Sequence, residues 1–300
     1  MQQQLTRRNF ITLMEAVGAS MALNGFSWAR AQEDGAVEVK VKKVDKLTEE
    51  PVLTIAHCCD PQLGFNKTRD EKVYQLHLAR LKREIELVNE SKPDVVFFAG
   101  DMAHFADEMK RDYPELLKKI ETPMLVAVGN HDVPDPLTAK GVVQFTDVFG
   151  VEYNSLVVKG WKIIVFNSQY IRPTQEQELY DQQVEWFKRE LEDAHAKNLK
   201  TILGSHVPPF VKSLDEKDEY FNFPSKFRQD FLDYSVSQGA TFYLAGHTHT
   251  TLERAYRGMP ILNAETTSVN FDQRPHGFRL LKIDANLNYE WNFIGLGEDA

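Results

Sequence analysis

Short apolar runs recur along the chain, and each one closes on a polar residue. "PVLTIAHCC", "DVVFFAG", "MLVAVG", "KTILGS" and "TFYLAG" are too short for helices and rich in β-branched and aromatic residues. They read as buried strands. Helical patterns lie between them. Val73, Leu76, Leu81, Ile85 and Val88 form a stripe after "KTRDEK". A short helix is expected from Tyr113 to Ile120, with Pro114 tolerated in its first turn. Longer helices are expected from about Glu176 to Ala196 and near Ser225 to Ser237. "SLVVKGWKIIVFNS" reads as a hairpin turning at Lys159-Gly160, and "LERAYRGMPILNA" as a second hairpin. "FRLLKID" and "YEWNFI" are the last strands. Alternating strands and helices imply an α/β fold with largely parallel central strands and antiparallel edges. Two sheets packed face to face, with helices on both outer sides, accommodate this content.

The 300 residues are 42% hydrophobic and 26% charged, as in ordinary globular chains. No apolar run reaches the roughly 18 residues needed to cross a bilayer. The formal charge of -9 argues against a nucleic-acid backbone as partner. A small anion is not excluded, because a cation within one cleft reverses the local field. The only cysteines, Cys58 and Cys59, are adjacent. Vicinal cysteines seldom pair, so no structural disulfide is expected and both read as small buried strand residues.

The N-terminus carries a separate signal. "LTRRNFITL" places Arg7 and Arg8 before Phe10. A weakly apolar stretch follows, from Ile11 to Trp28, and then Ala29-Arg30-Ala31. Basic, apolar and small-residue regions in that order mark a cleavable leader. The paired arginines resemble a twin-arginine export signal. Residues 1–31 are therefore expected to be that signal peptide, read by twin-arginine export machinery. The expected destination is the periplasm or exterior of a bacterium, with no stable membrane insertion after cleavage. Residues 32–50 read as a linker or edge segment, and 51–298 as one folded domain.

The strand ends carry the chemistry. Asp60, Asp101, Asn130, His206 and His247 follow the five apolar runs, with His249 two residues beyond the last. Ligands in open α/β sheets bind outside the carboxyl ends of strands. Residues far apart in sequence can thus converge on one crevice. Asp, His and Asn without thiolate suit Mn, Fe, Zn or Mg. A shared carboxylate such as Asp101 can bridge two cations, which clamp a phosphate and activate water.

"DPQ", "GDMAH", "GNHD", "GSHVP" and "GHTH", in this order, resemble the calcineurin-like metallophosphoesterase superfamily. "DPQLG", "NSQY", "YFNFPSK" and "RPHGFR" are similar to its calcineurin-like phosphoesterase domain-containing protein 1 branch. The resemblance implies a four-layer αββα sandwich holding two divalent or trivalent metal ions. It implies Asp60 and His249 at the first metal, Asp101 bridging, and Asn130, His206 and His247 at the second. Gln62 stands where the superfamily commonly has His and is expected to join the metal ligands. His131 is implied to meet the phosphoryl oxygens, and Asp132 to orient it. The implied reaction is hydrolysis of phosphomonoesters by a metal-bound hydroxide. A phosphodiesterase acting on nucleotides or lipid head groups, or a non-catalytic phosphate-binding protein, are the alternatives.

Other candidates rest on residue type. Asn222, Arg274 and His276 suit substrate binding, Arg through bidentate phosphate contact. His104, three beyond Asp101, belongs either at the cleft mouth or among solvated loop residues. Tyr220, Phe221 and Phe223 favour the core over a pocket wall. Asn167, Ser168 and Gln169 either line the cleft or cap a turn. His77 and His195 are expected on exposed helix faces, and His57 on the strand face opposite Asp60.

Overall fold

The computed structural model describes residues 38–134, 136–171 and 176–297. The expected signal peptide, 1–31, lies outside them. The described residues form two six-stranded sheets. The first runs in the order β1 (Lys42–Lys43), β12 (Asn288–Gly295), β11 (Gly277–Ile283), β2 (Leu53–Cys58), β3 (Val95–Phe98) and β4 (Met124–Val126). β2, β3 and β4 are parallel, and β11 is antiparallel to its neighbours β2 and β12. The second sheet runs β5 (Asn154–Val158), β6 (Trp161–Val165), β7 (Lys200–Gly204), β8 (Ala240–Ala245), β10 (Met259–Asn263) and β9 (Leu252–Tyr256). Its four central strands are parallel, and both edge strands are antiparallel hairpin partners. Lys159 (φ 49°) and Gly160 (φ 79°) form the first hairpin's turn, the double positive φ that suits the strand twist.

Each strand's alternating side chains serve two layers. Ile55, Val95 and Phe97 meet Ile163, Val165, Ile202, Phe242 and Leu244 in the core between the sheets. The opposite face of the first sheet, with Val96 and Phe98, packs on α1 (Glu71–Ser91) and α2 (Met109–Leu116). The outer face of the second, with Ile164, Leu203 and Tyr243, packs on α4 (Gln177–Ala196) and α5 (Ser225–Ser237). The result is the four-layer αββα sandwich, and it explains why the strands are apolar on both faces.

Three local expectations are corrected. Asp70 caps α1 by accepting the Lys72 amide, and Lys92 ends it at φ 46° before Pro93. The face α1 buries is set by Tyr74, Leu78, Leu81, Ile85 and Val88, which leaves Leu76 46% exposed. That rotation buries His77 beneath the Gln62 loop, where the ring lies 3.4 Å from the Gln62 carbonyl. α2 begins at Met109, earlier than expected, because Met109, Tyr113 and Leu116 share one helical stripe; Pro114 falls inside it. An unanticipated helix, α3 (Ala139–Phe149), follows β4, with Thr138 as its cap. His195 is exposed as expected.

Candidate metal centre

The parallel registers align the carboxyl ends of β2, β3 and β4, and of β7 and β8. The turns that leave these ends bring Asp60, Asp101, His206, His247 and His249 together. Ligand atoms of Asp101, His206 and His247 lie within 4.8 Å of one another, and so do those of Asp60, Asp101 and His249. Asp101 belongs to both groups.

Backbone geometry aims these side chains. Asp60 (φ 45°), Gln62 (φ 34°), Asp101 (φ 51°), His247 (φ 72°) and His249 (φ 51°) all adopt the left-handed conformation. It turns each side chain out of the strand line and back over the strand end. Backbone amides then fix the carboxylates. The His247 amide donates to both Asp60 oxygens, at 3.1 and 3.0 Å, and the His131 amide donates to Asp101 Oδ1 at 2.8 Å. Two glycines make room. A β-carbon at Gly129 would collide with the Asp101 backbone nitrogen and carboxylate, and one at Gly246 would lie 2.7 Å from Asp60 Oδ2.

Each clustered histidine commits one nitrogen to a backbone carbonyl. His206 Nδ1 donates to Ala99 at 2.7 Å, His249 Nδ1 to Val269 at 2.6 Å, and His247 Nε2 to Tyr220 at 2.9 Å. The other nitrogen is left facing the cluster, as in histidines oriented for a metal. The Asn130 amide nitrogen donates to the Tyr220 hydroxyl at 2.8 Å, which turns Oδ1 toward His206 Nε2 at 3.0 Å. His206 Nε2 is also 3.4 Å from Asp101 Oδ1. Three electron-rich atoms therefore face each other in a buried place, an arrangement that requires a proton or a cation among them. Gln62 adds to this. Its amide nitrogen is 3.4 Å from Asp101 Oδ2, and its buried Oε1 has no hydrogen-bond partner among the described residues.

The electrostatics follow from burial and crowding. Burial raises Asp60, and His249 and His206 offset part of that. Burial alone would raise Asp101, but His206, His131 and His247 outweigh it and hold the carboxyl below the usual range. Burial would lower His206, yet Asp101 and Asp60 push it up to about 9. The donor set of carboxylate and amide oxygens with imidazole nitrogens fits two hard-to-borderline cations, with Asp101 between them.

Other expected residues are placed differently. Asp132 Oδ1 accepts the Met102 amide at 2.7 Å, and Oδ2 accepts the Gly129 amide at 2.8 Å. It straps the turns after β3 and β4 together and does not orient His131 as expected. The His131 ring donates from Nδ1 to the His104 carbonyl at 3.1 Å and stacks on the His104 ring. Asn222 spends its amide on Glu216, Lys217 and Glu219 within its own loop. Arg274 is held by Glu265 and Asp272. His276 is half-buried, and burial followed by the charge of Arg80 lowers it. Among the described residues, none of these three bonds to a clustered ligand. Asn167 and Ser168 brace a turn by accepting the amides of Gln169 and Val207. His57 is buried against Phe97 and donates to the Ala245 carbonyl, and both cysteines are buried and free. Tyr220, for which the core was favoured over a pocket wall, instead stands at the site and holds Asn130.

Comparison with known proteins agrees with this geometry. Residues 53–251 match the family model described as calcineurin-like phosphoesterase. The serine/threonine-protein phosphatase CPPED1 of Rattus norvegicus is 28% identical over 247 residues, 75% of this chain and 78% of its own. The human CPPED1 is 27% identical over 248 residues, with the same coverage. A dimetal phosphatase from Danio rerio has the same fold, with a TM-score of 0.58 and 13% identity over 83% of this chain and 98% of that one. The chain belongs to the calcineurin-like phosphoesterase family and is a metal-dependent phosphoester hydrolase.

Proposed function

We propose that this chain hydrolyses phosphomonoesters outside the cytoplasm of a bacterium, after export through its twin-arginine signal. The observation that carries the hydrolytic reading is the pair of ligand groups sharing Asp101. The similarity to CPPED1 phosphatases supports a monoester substrate. Phosphoserine or phosphothreonine in proteins and small phosphorylated metabolites both belong to that class.

Asp60, Gln62 and His249 would hold one cation and Asn130, His206 and His247 the other, with Asp101 on both. When bound, the cations supply Lewis acidity and make water nucleophilic near neutral pH. The chain does the rest. Backbone amides on Asp60 and Asp101 keep both carboxylates fixed. The amide of His131, bonded to Asp101, ties the position of that histidine to the centre. With Nδ1–H committed to the His104 carbonyl, the proton of the imidazolium that remains for a phosphoryl or leaving-group oxygen is on Nε2.

The test compares p-nitrophenyl phosphate with bis(p-nitrophenyl) phosphate on metal-loaded protein. Turnover at least about tenfold faster for the monoester is expected. The reverse preference would make the protein a diesterase, and tight binding without hydrolysis of either would make it a phosphate-binding protein.

A further inference from the structure

Beside the metal centre is an open cleft of about 400 Å³. It is lined by Asn130 and His131, and by Thr138, Lys140 and Gln144 at the α3 start. His104 and Phe105, from the loop after β3, also line it. Asn130 and His131 thus line this space and are also bonded to members of the ligand cluster. A group attached to an oxygen that His131 protonates would extend into the cleft.

The charges lining the cleft are unequal in their commitments. Arg69 is engaged: its guanidinium pairs with both oxygens of Asp107, at 2.9 and 3.0 Å, and lies 4.0 Å over the Phe105 ring. Glu108 lies 3.6 Å from the same guanidinium, so Arg69 offers no spare charge. Lys140 makes no ion pair among the described residues, although the chain has a net charge of -9. Gln144, four residues on and one helical turn away, faces the same space. Phe105, Val133 and Gly141 leave the floor between them mostly apolar. The cleft therefore joins His131, across a mostly apolar lining, to an amide and to a cation with no ion pair among the described residues.

We propose that this cleft is a leaving-group subsite selecting phosphomonoesters whose leaving group carries a second anionic group, recognised by Lys140. The inference rests on the monoesterase reading above. An ammonium is a point charge that binds carboxylate or phosphate alike, so the shared chemistry is a second anion within reach of α3.

The test uses metal-loaded protein with 3-phosphoglycerate and glycerol 3-phosphate, which differ in a carboxylate against a hydroxymethyl group. The wild type is expected to prefer 3-phosphoglycerate in kcat/KM. Lys140→Ala is expected to lower that preference about tenfold, with the loss in KM, and Lys140→Arg to restore most of it. Lys140 is exposed, so neither variant disturbs a packed core. If the wild type hydrolyses both esters and the preference is unmoved by Lys140→Ala, the subsite is overturned while the monoesterase reading stands. If the wild type hydrolyses p-nitrophenyl phosphate but neither of these esters, the subsite is likewise overturned while the monoesterase reading stands; if it hydrolyses none of the three, the monoesterase reading fails and the subsite with it.

Discussion

His131 lies face to face with His104, their ring centroids 4.6 Å apart and their planes within 28°, while the carbonyl of His104 accepts the His131 Nδ1 proton. Alanine at position 104 would leave that carbonyl in place and remove the stacked ring, together with its Nδ1 contact at 3.5 Å to the Gln62 amide nitrogen. His104→Ala is expected to lower kcat by about tenfold to a hundredfold, with little change in KM or in metal content. Steady-state kinetics with elemental analysis checks this. A loss confined to KM would contradict a positioning role for the ring.

Asp101 serves both ligand groups, so its loss should harm both at once. Asp101→Asn is expected to reduce phosphoester hydrolysis by at least about a thousandfold and to lower metal content. Near-normal rates in protein stripped of metal would overturn the mechanism.

Glu84 is fully buried on α1, beside Cys58 and Thr267, and burial pushes its carboxyl from 4.5 up to about 8. The fold therefore keeps this acid protonated. Because the folded value is the higher one, its contribution is most favourable below pH 4.5 and is lost as the pH rises through about 8. Glu84→Gln keeps the shape and cannot ionise. Its stability should match the wild type near pH 5 and exceed it by on the order of 2 kcal/mol above pH 8. Denaturant unfolding across that range is the measurement, and parallel curves would sink the prediction.

Arg7 and Arg8 carry the export proposal. Replacing both by Lys keeps the charge and removes the paired guanidinium groups. The protein is then expected to accumulate unprocessed in the cytoplasm, as fractionation and immunoblotting would show. Unchanged export of the variant would remove the twin-arginine assignment.

The strand ends were legible because each apolar run stops at a ligand-type residue, and parallel strands necessarily share one carboxyl end. What escaped depends on contacts between distant segments. α3 was missed because "AKGVVQFTDVF" mixes β-branched residues with Gly141, and it buries only Gly141, Val142 and Phe145. Tyr220 sits in an aromatic cluster whose default is the core, yet only Phe223 of that cluster is fully buried. Its hydroxyl instead meets Asn130, ninety residues away in sequence. Asn222 and Arg274 were chosen because amide and guanidinium groups suit phosphate. The fold spends both on neighbouring carboxylates, which residue type alone does not reveal. His77 seemed a surface residue until the Gln62 loop was laid across its helix.

The left-handed backbone at Asp60, Gln62, Asp101, His247 and His249 has an evolutionary side. Such conformations cost roughly 1 kcal/mol apiece, less where Asp or His can adopt them and more for Gln. Together they amount to several kcal/mol, against a net stability of about 5–15 kcal/mol for a typical domain. Mutational drift guided by folding alone would favour glycine or asparagine at these positions. Asp, Gln and His at these turns therefore set the placement of ligand atoms against the stability of the chain.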